Sequence, residues 1–265
     1  MHSPRDLFEP AVRDELYTRM EGRTTPLFLD YDGTLTPIVD NPADAQLDPA
    51  MRQALEALAA RQTVALVSGR DLQALQRFVG LDSVYYAGSH GFEIVGPGGV
   101  HRCNEEAEAG LEALAAAAEA LDTALAEVEG TLLERKRFAL AVHYRNTPED
   151  QVAAVRAAVD EVLERHPGLR CGPGKCVFEL QPDVAWDKGR AVLWLLEALS
   201  LNNGDTLPIY IGDDWTDEHA FRALEGRGVG IFVGDLDRAT AADYRVADVD
   251  AVRQFFEQML KGLER

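Results

Sequence analysis

Four short apolar runs, each followed by a stretch with helical spacing, constrain the fold of this chain more than any other feature: PLFLD at 26–30, TVALVS at 63–68, SVYYAG at 83–88 and LPIYIGDD at 207–214. The segments 48–61, 70–79, 187–200 and 216–225 between and after them repeat apolar residues at the period of a helix. Strands that alternate with helices pair in parallel, and the helices cover both faces of the sheet. The expected fold class is therefore α/β, with a Rossmann-like parallel sheet as the core. In such sheets ligands bind beyond the carboxyl ends of the strands. Three of the four runs end there in polar residues: Asp30 with Asp32, Ser68, and Asp213 with Asp214.

The middle of the chain is wired differently. An Ala-rich helix over 105–128, two alternating strands within 131–145, a helix over 148–165 and a strand over 175–181 give the order αββαβ. That order predicts a small antiparallel sheet with helices on one side, an α+β cap inserted over 98–182 between the core segments 1–97 and 183–265. A further helix over about 4–20 is expected to cover a face of the core sheet.

Net charge narrows the partners. Asp and Glu outnumber Lys and Arg by 45 to 26, and the resulting charge of −19 opposes binding to nucleic acid or to an anionic membrane. An anionic substrate would need positive charge supplied locally by metal, lysine, arginine or backbone amides. The segment MHSPRDLFEPAVRDEL is too charged for a signal peptide, no apolar stretch is long enough to span a bilayer, and the three cysteines, Cys103, Cys171 and Cys176, lack metal spacing. A cytoplasmic location with reduced thiols is the expectation. Lysine is scarce, with only Lys136, Lys175, Lys188 and Lys261, so each position invites a reason beyond solubility.

The strand tips suggest chemistry. Asp30 and Asp32, two residues apart, would project from one face of a strand into one crevice, where like charges repel unless a cation lies between them. Gly33 and Thr34 follow, a backbone turn and a donor suited to an anion. In IGDDWTDE, Asp213 is expected to ligate a metal directly, with Asp214 and Asp217 orienting waters or neighbouring groups, although Asp217 also suits a helix cap. Hard oxygen donors from separate strands suit Mg²⁺. Ser68 precedes a helix, where it either caps the helix or holds a phosphoryl oxygen, and Lys188 opens a helix, an unfavourable place for a cation unless an anion lies nearby.

Taken in order and spacing, DYDGTLT, Ser68, Lys188 and GDDWTD resemble the four motifs of the haloacid dehalogenase superfamily of phosphatases. That resemblance implies a phosphoaspartyl mechanism. Asp30 attacks phosphorus, Asp32 protonates the departing oxygen and then deprotonates water, Ser68 and Lys188 hold the phosphoryl oxygens, and Mg²⁺ is held by Asp30, Asp32 and Asp213. Negative charge crowded around Asp32 is expected to keep it protonated as a general acid.

The segments LERKRFALAVHYR, GKCVFELQP and AGSHGFE resemble one branch of that superfamily, the trehalose-6-phosphate phosphatases. Carried over from that branch, Glu134, Lys136, Arg145, Lys175 and Glu179 match cap positions that grip the disaccharide and its phosphate, and His90 matches a core position facing the sugar. Strand alternation puts Glu134 with Lys136, and Lys175 with Glu179, on shared faces, either as a sugar-binding surface or as a solvated face with salt bridges. The activity so implied is hydrolysis of trehalose 6-phosphate, with functional pairing to a trehalose-6-phosphate synthase as a possible partnership. The rival readings are phosphatases of sucrose 6-phosphate or mannosyl-3-phosphoglycerate, a phosphomannomutase, and an inactive sugar-phosphate sensor or synthase partner.

Overall fold

The computed structural model describes residues 3–39, 41–172, 176–235 and 239–263. Two compact units are present, one built from the residues up to Arg102 together with those from Trp186 onward, the other from Cys103–Ala185.

The first unit starts with β1 (Arg5–Asp6), α1 (Pro10–Met20), β2 (Leu27–Leu29), α2 (Pro49–Ala59), β3 (Val64–Val67), α3 (Leu72–Val79), β4 (Tyr85–Gly88), β5 (Glu93–Gly96) and β6 (Val100–Cys103). The helix expected over 4–20 is thus preceded by a short strand. Residues 5–6 extend in parallel along residues 244–245 near the C-terminus, and the helix begins only at Pro10, whose fixed φ and missing N–H suit a first helical position.

The second unit follows, with α4 (Glu105–Ala109), α5 (Leu111–Leu125), β7 (Leu132–Arg135), β8 (Leu140–His143), α6 (Val152–Arg165), β9 (Leu169–Gly172) and β10 (Val177–Pro182). Two expectations change here. The Ala-rich helix is divided at Gly110, which passes so close to Pro182 that a Cβ there would lie 2.9 Å from the proline ring. The element order is αββαββ rather than αββαβ, because LRCG at 169–172 adds an edge strand to β10. Its four residues, ending in a glycine, carry too short a pattern to stand out. Strand order is β7-β8-β10-β9, with antiparallel pairing throughout. Leu114, Leu121, Val155 and Val159 of α5 and α6 pack on Leu140, Val142 and Leu180, so both helices cover one face of this sheet.

The chain then completes the first unit with α7 (Lys188–Ala198), β11 (Ile209–Gly212), α8 (Glu218–Leu224), β12 (Val229–Val233), β13 (Tyr244–Val246) and α9 (Val249–Leu263). Its nine strands run in the order β1-β13-β12-β11-β2-β3-β4-β5-β6, parallel from β1 to β4 and antiparallel from β4 to β5. Alternation sorts the central residues between two cores. Leu27, Leu29, Ile209 and Ile211 face α1, α2, α3 and α9, whereas Phe28 and Tyr210 face α7 and α8. Burying both faces explains why the strands read as continuous apolar runs. Asp30, one step beyond Leu29, inherits the Phe28 side, the side of α7.

Candidate active site

Asp30 follows the last residue of β2, is buried, and accepts a hydrogen bond from the amide of Tyr31 at 2.7 Å. Lys188, the first residue of α7, lies with its Nζ 2.9 Å from Asp30 Oδ2 and 2.7 Å from Asp217 Oδ1. Asp187 caps that helix by accepting from the amide of Arg190. Burial alone would push the Lys188 ammonium down, but Asp217 and Asp30 outweigh it and its pKa is raised. It remains charged.

Asp213, just past β11, accepts a hydrogen bond from Thr34 Oγ1 at 3.0 Å. The turn carrying Thr34 is possible because Gly33 has φ +81°, and a Cβ there would meet the Asp213 carboxylate at 2.1 Å. Asp217, fully buried, accepts from Lys188, from the Tyr210 hydroxyl at 2.6 Å and from the Asp214 amide at 2.9 Å. Asp214 itself caps the turn that follows through the amide of Trp215. Ligand atoms of Asp30, Asp213 and Asp217 all lie within 4.8 Å of one another.

Three buried or half-buried carboxylates lie together and the Lys188 ammonium contacts two of them, leaving negative charge uncompensated. Burial, then Asp217, raise the Asp30 pKa well above the ordinary carboxylate range, and the same two causes push Asp213 up to about 7. A divalent cation among these oxygens would supply the missing charge and reverse both shifts. The donors are hard oxygens, as Mg²⁺ requires, so the residues present fit that ion.

Asp32 is placed differently from expectation. β2 ends at Leu29 and the chain turns, so Asp30 and Asp32 do not share a strand face. The Asp32 carboxylate is gripped by Arg70, with Nε 2.7 Å from Oδ2 and Nη2 2.6 Å from Oδ1. Arg70 is itself fixed by the carbonyl of Pro42 and by the rings of Tyr31 and Phe78, 5.4 and 4.8 Å from its guanidinium carbon. The crowding of negative charge expected around Asp32 falls instead on Asp30, Asp213 and Asp217, and it is the carboxylate of Asp217 that joins the other two.

Ser68 is buried after β3, and its Oγ accepts from the Arg70 amide at 3.2 Å, so it serves as a turn cap. His90 sits in the left-handed region, φ 57°, next to Ser89 at φ 50°. Consecutive non-glycine residues in that region cost on the order of 1–3 kcal/mol each. The strain is held by hydrogen bonds from the Ser89 amide to the Arg70 carbonyl and from the His90 amide to the Ser68 carbonyl, which set the imidazole against Gly69.

Within the second unit, Glu134 and Glu179 both pair with Ala141, so the two carboxylates stand in one row on the sheet face away from α5 and α6. Lys136 reaches across to Glu179 at 2.7 Å, and Glu134 is 2.9 Å from His143 Nε2. Arg135, of opposite parity, pairs with Glu119 and Asp122 on α5. Arg145 is exposed in the turn after β8, and Lys175 lies outside the described residues. Arg70 and Tyr210 are partners that the sequence did not reveal. For Tyr210 a signal existed, a hydroxyl within a buried apolar run, which demands a hydrogen-bond partner.

A parallel sheet carrying an acidic group and a buried lysine at its carboxyl edge defines a haloacid-dehalogenase-like architecture. A haloacid dehalogenase-like hydrolase from Bacteroides thetaiotaomicron shares this fold over 89% of the chain and all of its own length, at TM-score 0.61 and 17% identity. Within that class the trehalose-phosphatase family profile matches residues 28–250, and the chain belongs to that family. It is 44% identical over 253 residues to a trehalose-phosphate phosphatase of Mycobacterium avium, covering 93% of the chain and 64% of that protein. It is 46% identical over 259 residues to a Mycobacterium tuberculosis protein called an uncharacterized glycosyl hydrolase, covering 96% of the chain but 19% of that protein. The chain thus spans less than two thirds of the length of each of these relatives. A solved structure of a trehalose-6-phosphate phosphatase related protein superimposes with TM-score 0.78 at 26% identity, over 91% of this chain and 99% of its own. No described helix is long and apolar enough to cross a membrane.

Proposed function

We propose that the protein is a Mg²⁺-dependent phosphatase that hydrolyses trehalose 6-phosphate to trehalose and inorganic phosphate through a phosphoaspartyl intermediate on Asp30. The observation that carries this reading is the buried Asp30 carboxylate held by Lys188 beside Asp213 and Asp217. Family membership supports the substrate class. Asp30 and Asp213, with Asp32 as the third expected ligand, would hold the ion, and when bound it would neutralise the approach of a carboxylate to a phosphate dianion.

The chain's own residues account for the remaining chemistry. An oxygen of Asp30 attacks phosphorus while the bond to the sugar oxygen breaks, and Asp32 delivers a proton to that oxygen. Asp32 then takes a proton from water as the water attacks phosphorus, releasing phosphate and restoring the Asp30 carboxylate. Two of the three Lys188 N–H donors are used by Asp30 and Asp217, leaving the third for a phosphoryl oxygen, with the Ser68 hydroxyl as a second donor. Asp32 clasped by Arg70 accepts two charge-assisted hydrogen bonds, so proton delivery requires it to leave at least one of them. His90 would face the sugar. Glu134, Lys136, Arg145, Lys175 and Glu179 of the inserted unit, read as a cap, would recognise the disaccharide, the carboxylates accepting from pairs of hydroxyls. A cytoplasmic setting and pairing with a synthase fit this role.

Phosphate release from trehalose 6-phosphate, sucrose 6-phosphate and glucose 6-phosphate, with and without Mg²⁺, tests the proposal. A strong Mg²⁺-dependent preference for the trehalose ester is expected. Preference for another sugar refutes the assigned substrate, and silence across the panel refutes the activity.

A further inference from the structure

Tyr210 lies on β11 with its side chain on the α7 and α8 side of the sheet, fully buried and edge-on to Phe221 at 5.6 Å. Its hydroxyl donates to Asp217 Oδ1 at 2.6 Å, the same oxygen that takes Lys188 Nζ at 2.7 Å, while Oδ2 takes the Asp214 amide at 2.9 Å. A carboxylate offers about four acceptor sites, and protein donors occupy all but one of them here. Asp217 is nevertheless near enough to Asp30 and Asp213 for the three to reach a common ion. It is a carboxylate within reach of the cation with one acceptor site left, and both sites on Oδ1 are taken by Lys188 and Tyr210.

Resting on the reading of a divalent cation held by Asp30 and Asp213, we infer that Tyr210 is a positioning residue that keeps Asp217 out of the cation's ligand set and thereby selects Mg²⁺ over Ca²⁺. Mg²⁺ takes six ligands in near-ideal octahedral geometry and retains waters, whereas Ca²⁺ gathers 6–8 oxygens and welcomes an additional carboxylate. Removing the hydroxyl leaves the ring packing on Phe221 intact and opens an acceptor site on Oδ1. Burial, then the charges of Asp217 and Asp30, hold the Tyr210 phenol well above its ordinary pKa, so the group stays a donor wherever the enzyme works. The Lys188 contact remains in place and continues to orient Asp217, which confines the change to ligation.

The test counts waters on a bound ion. Mn²⁺ serves as an octahedral stand-in for Mg²⁺, and line broadening of its electron paramagnetic resonance in ¹⁷O-enriched water reports how many waters it keeps. Titration calorimetry supplies Mg²⁺ and Ca²⁺ affinities of the same preparations. Tyr210→Phe is expected to lose a bound water and to raise the Ca²⁺-to-Mg²⁺ affinity ratio about tenfold, in the range typical of outer-shell changes. An unchanged water count together with an unchanged ratio overturns the inference. Asp217→Asn provides an arm that does not depend on the folding of the first variant. It should retain the wild-type water count, and a gain of water would mean that Asp217 already ligates, which also overturns the inference. Wild-type protein that binds no Mn²⁺ would instead overturn the cation reading on which the inference rests.

Discussion

Lys188→Met removes the one ammonium shared by Asp30 and Asp217 while keeping a side chain of similar length. Contacts of 2.9 and 2.7 Å are each worth about 6 kcal/mol at an effective dielectric constant of about 20. Desolvation of the ammonium offsets several kcal/mol of that sum, and breaking a buried pair from one side costs about 3–5 kcal/mol in practice. The carboxylates left behind can relieve part of the cost by binding protons. Asp30 already has a raised pKa in the folded protein, caused first by burial and then by Asp217, and losing Lys188 raises it further. A carboxylate whose folded pKa exceeds its unfolded value loses stability as pH rises through the interval between the two. The deficit should therefore be larger at pH 8 than at pH 5, and Mg²⁺ should narrow it at pH 8. Urea unfolding followed by tryptophan fluorescence measures this, with Arg253→Met as a control. Arg253 is a surface residue paired with Asp250 and Glu257, and its loss should cost about 0–1 kcal/mol. A Lys188→Met deficit below about 1 kcal/mol, equal at both pH values, would show that the ammonium does not hold these carboxylates together.

Other consequences follow from the same contacts. Asp213, pushed up to about 7, holds a proton in the folded protein at pH 6 that the unfolded chain has released, so metal must displace it. The rise in melting temperature caused by Mg²⁺ should grow from pH 6 to pH 8, and a rise that is equal or larger at pH 6 would contradict the assigned environment. Arg70→Ala frees Asp32 from the two bonds that proton delivery must otherwise break, so turnover of trehalose 6-phosphate should rise relative to that of acetyl phosphate, whose leaving group needs no proton. An unchanged ratio of the two would remove Arg70 from proton delivery. Glu179→Ala removes a carboxylate that Lys136 contacts and that stands on the sheet face of the inserted unit, so kcat/KM on trehalose 6-phosphate should fall about tenfold while an aryl phosphate is hydrolysed as before. A parallel fall on the aryl ester would sever that sheet face from sugar recognition.

The core was legible where burial on both faces writes an unbroken apolar run, as in PLFLD and LPIYIGDD, and where the polar strand ends gave direction. It was less legible at the edges. EIVG and VHRC, separated by PGG, are too brief for periodicity to register, and VGIFV ends in no polar residue that would have marked it as part of the site. The sequence brought Asp30, Lys188, Asp213 and Asp217 to one sheet edge because each sits at a strand or helix terminus whose place the topology dictates. The position of Asp32 depended on where β2 stops and on a guanidinium 38 residues away, and neither is encoded by local spacing. On the inserted unit, parity alone put Glu134 and Glu179 on one face, but the pairing of Lys136 with Glu179 required strand order, which periodicity does not contain.

Trapping the covalent intermediate addresses the proposed chemistry without an intervening step. Borohydride added during turnover of trehalose 6-phosphate reduces an aspartyl phosphate to homoserine, and mass spectrometry locates it. Homoserine is expected at position 30, dependent on both substrate and Mg²⁺ and absent from Asp30→Asn. Phosphate release that continues in Asp30→Asn, or a trapped residue at any other position, would contradict the proposed chemistry.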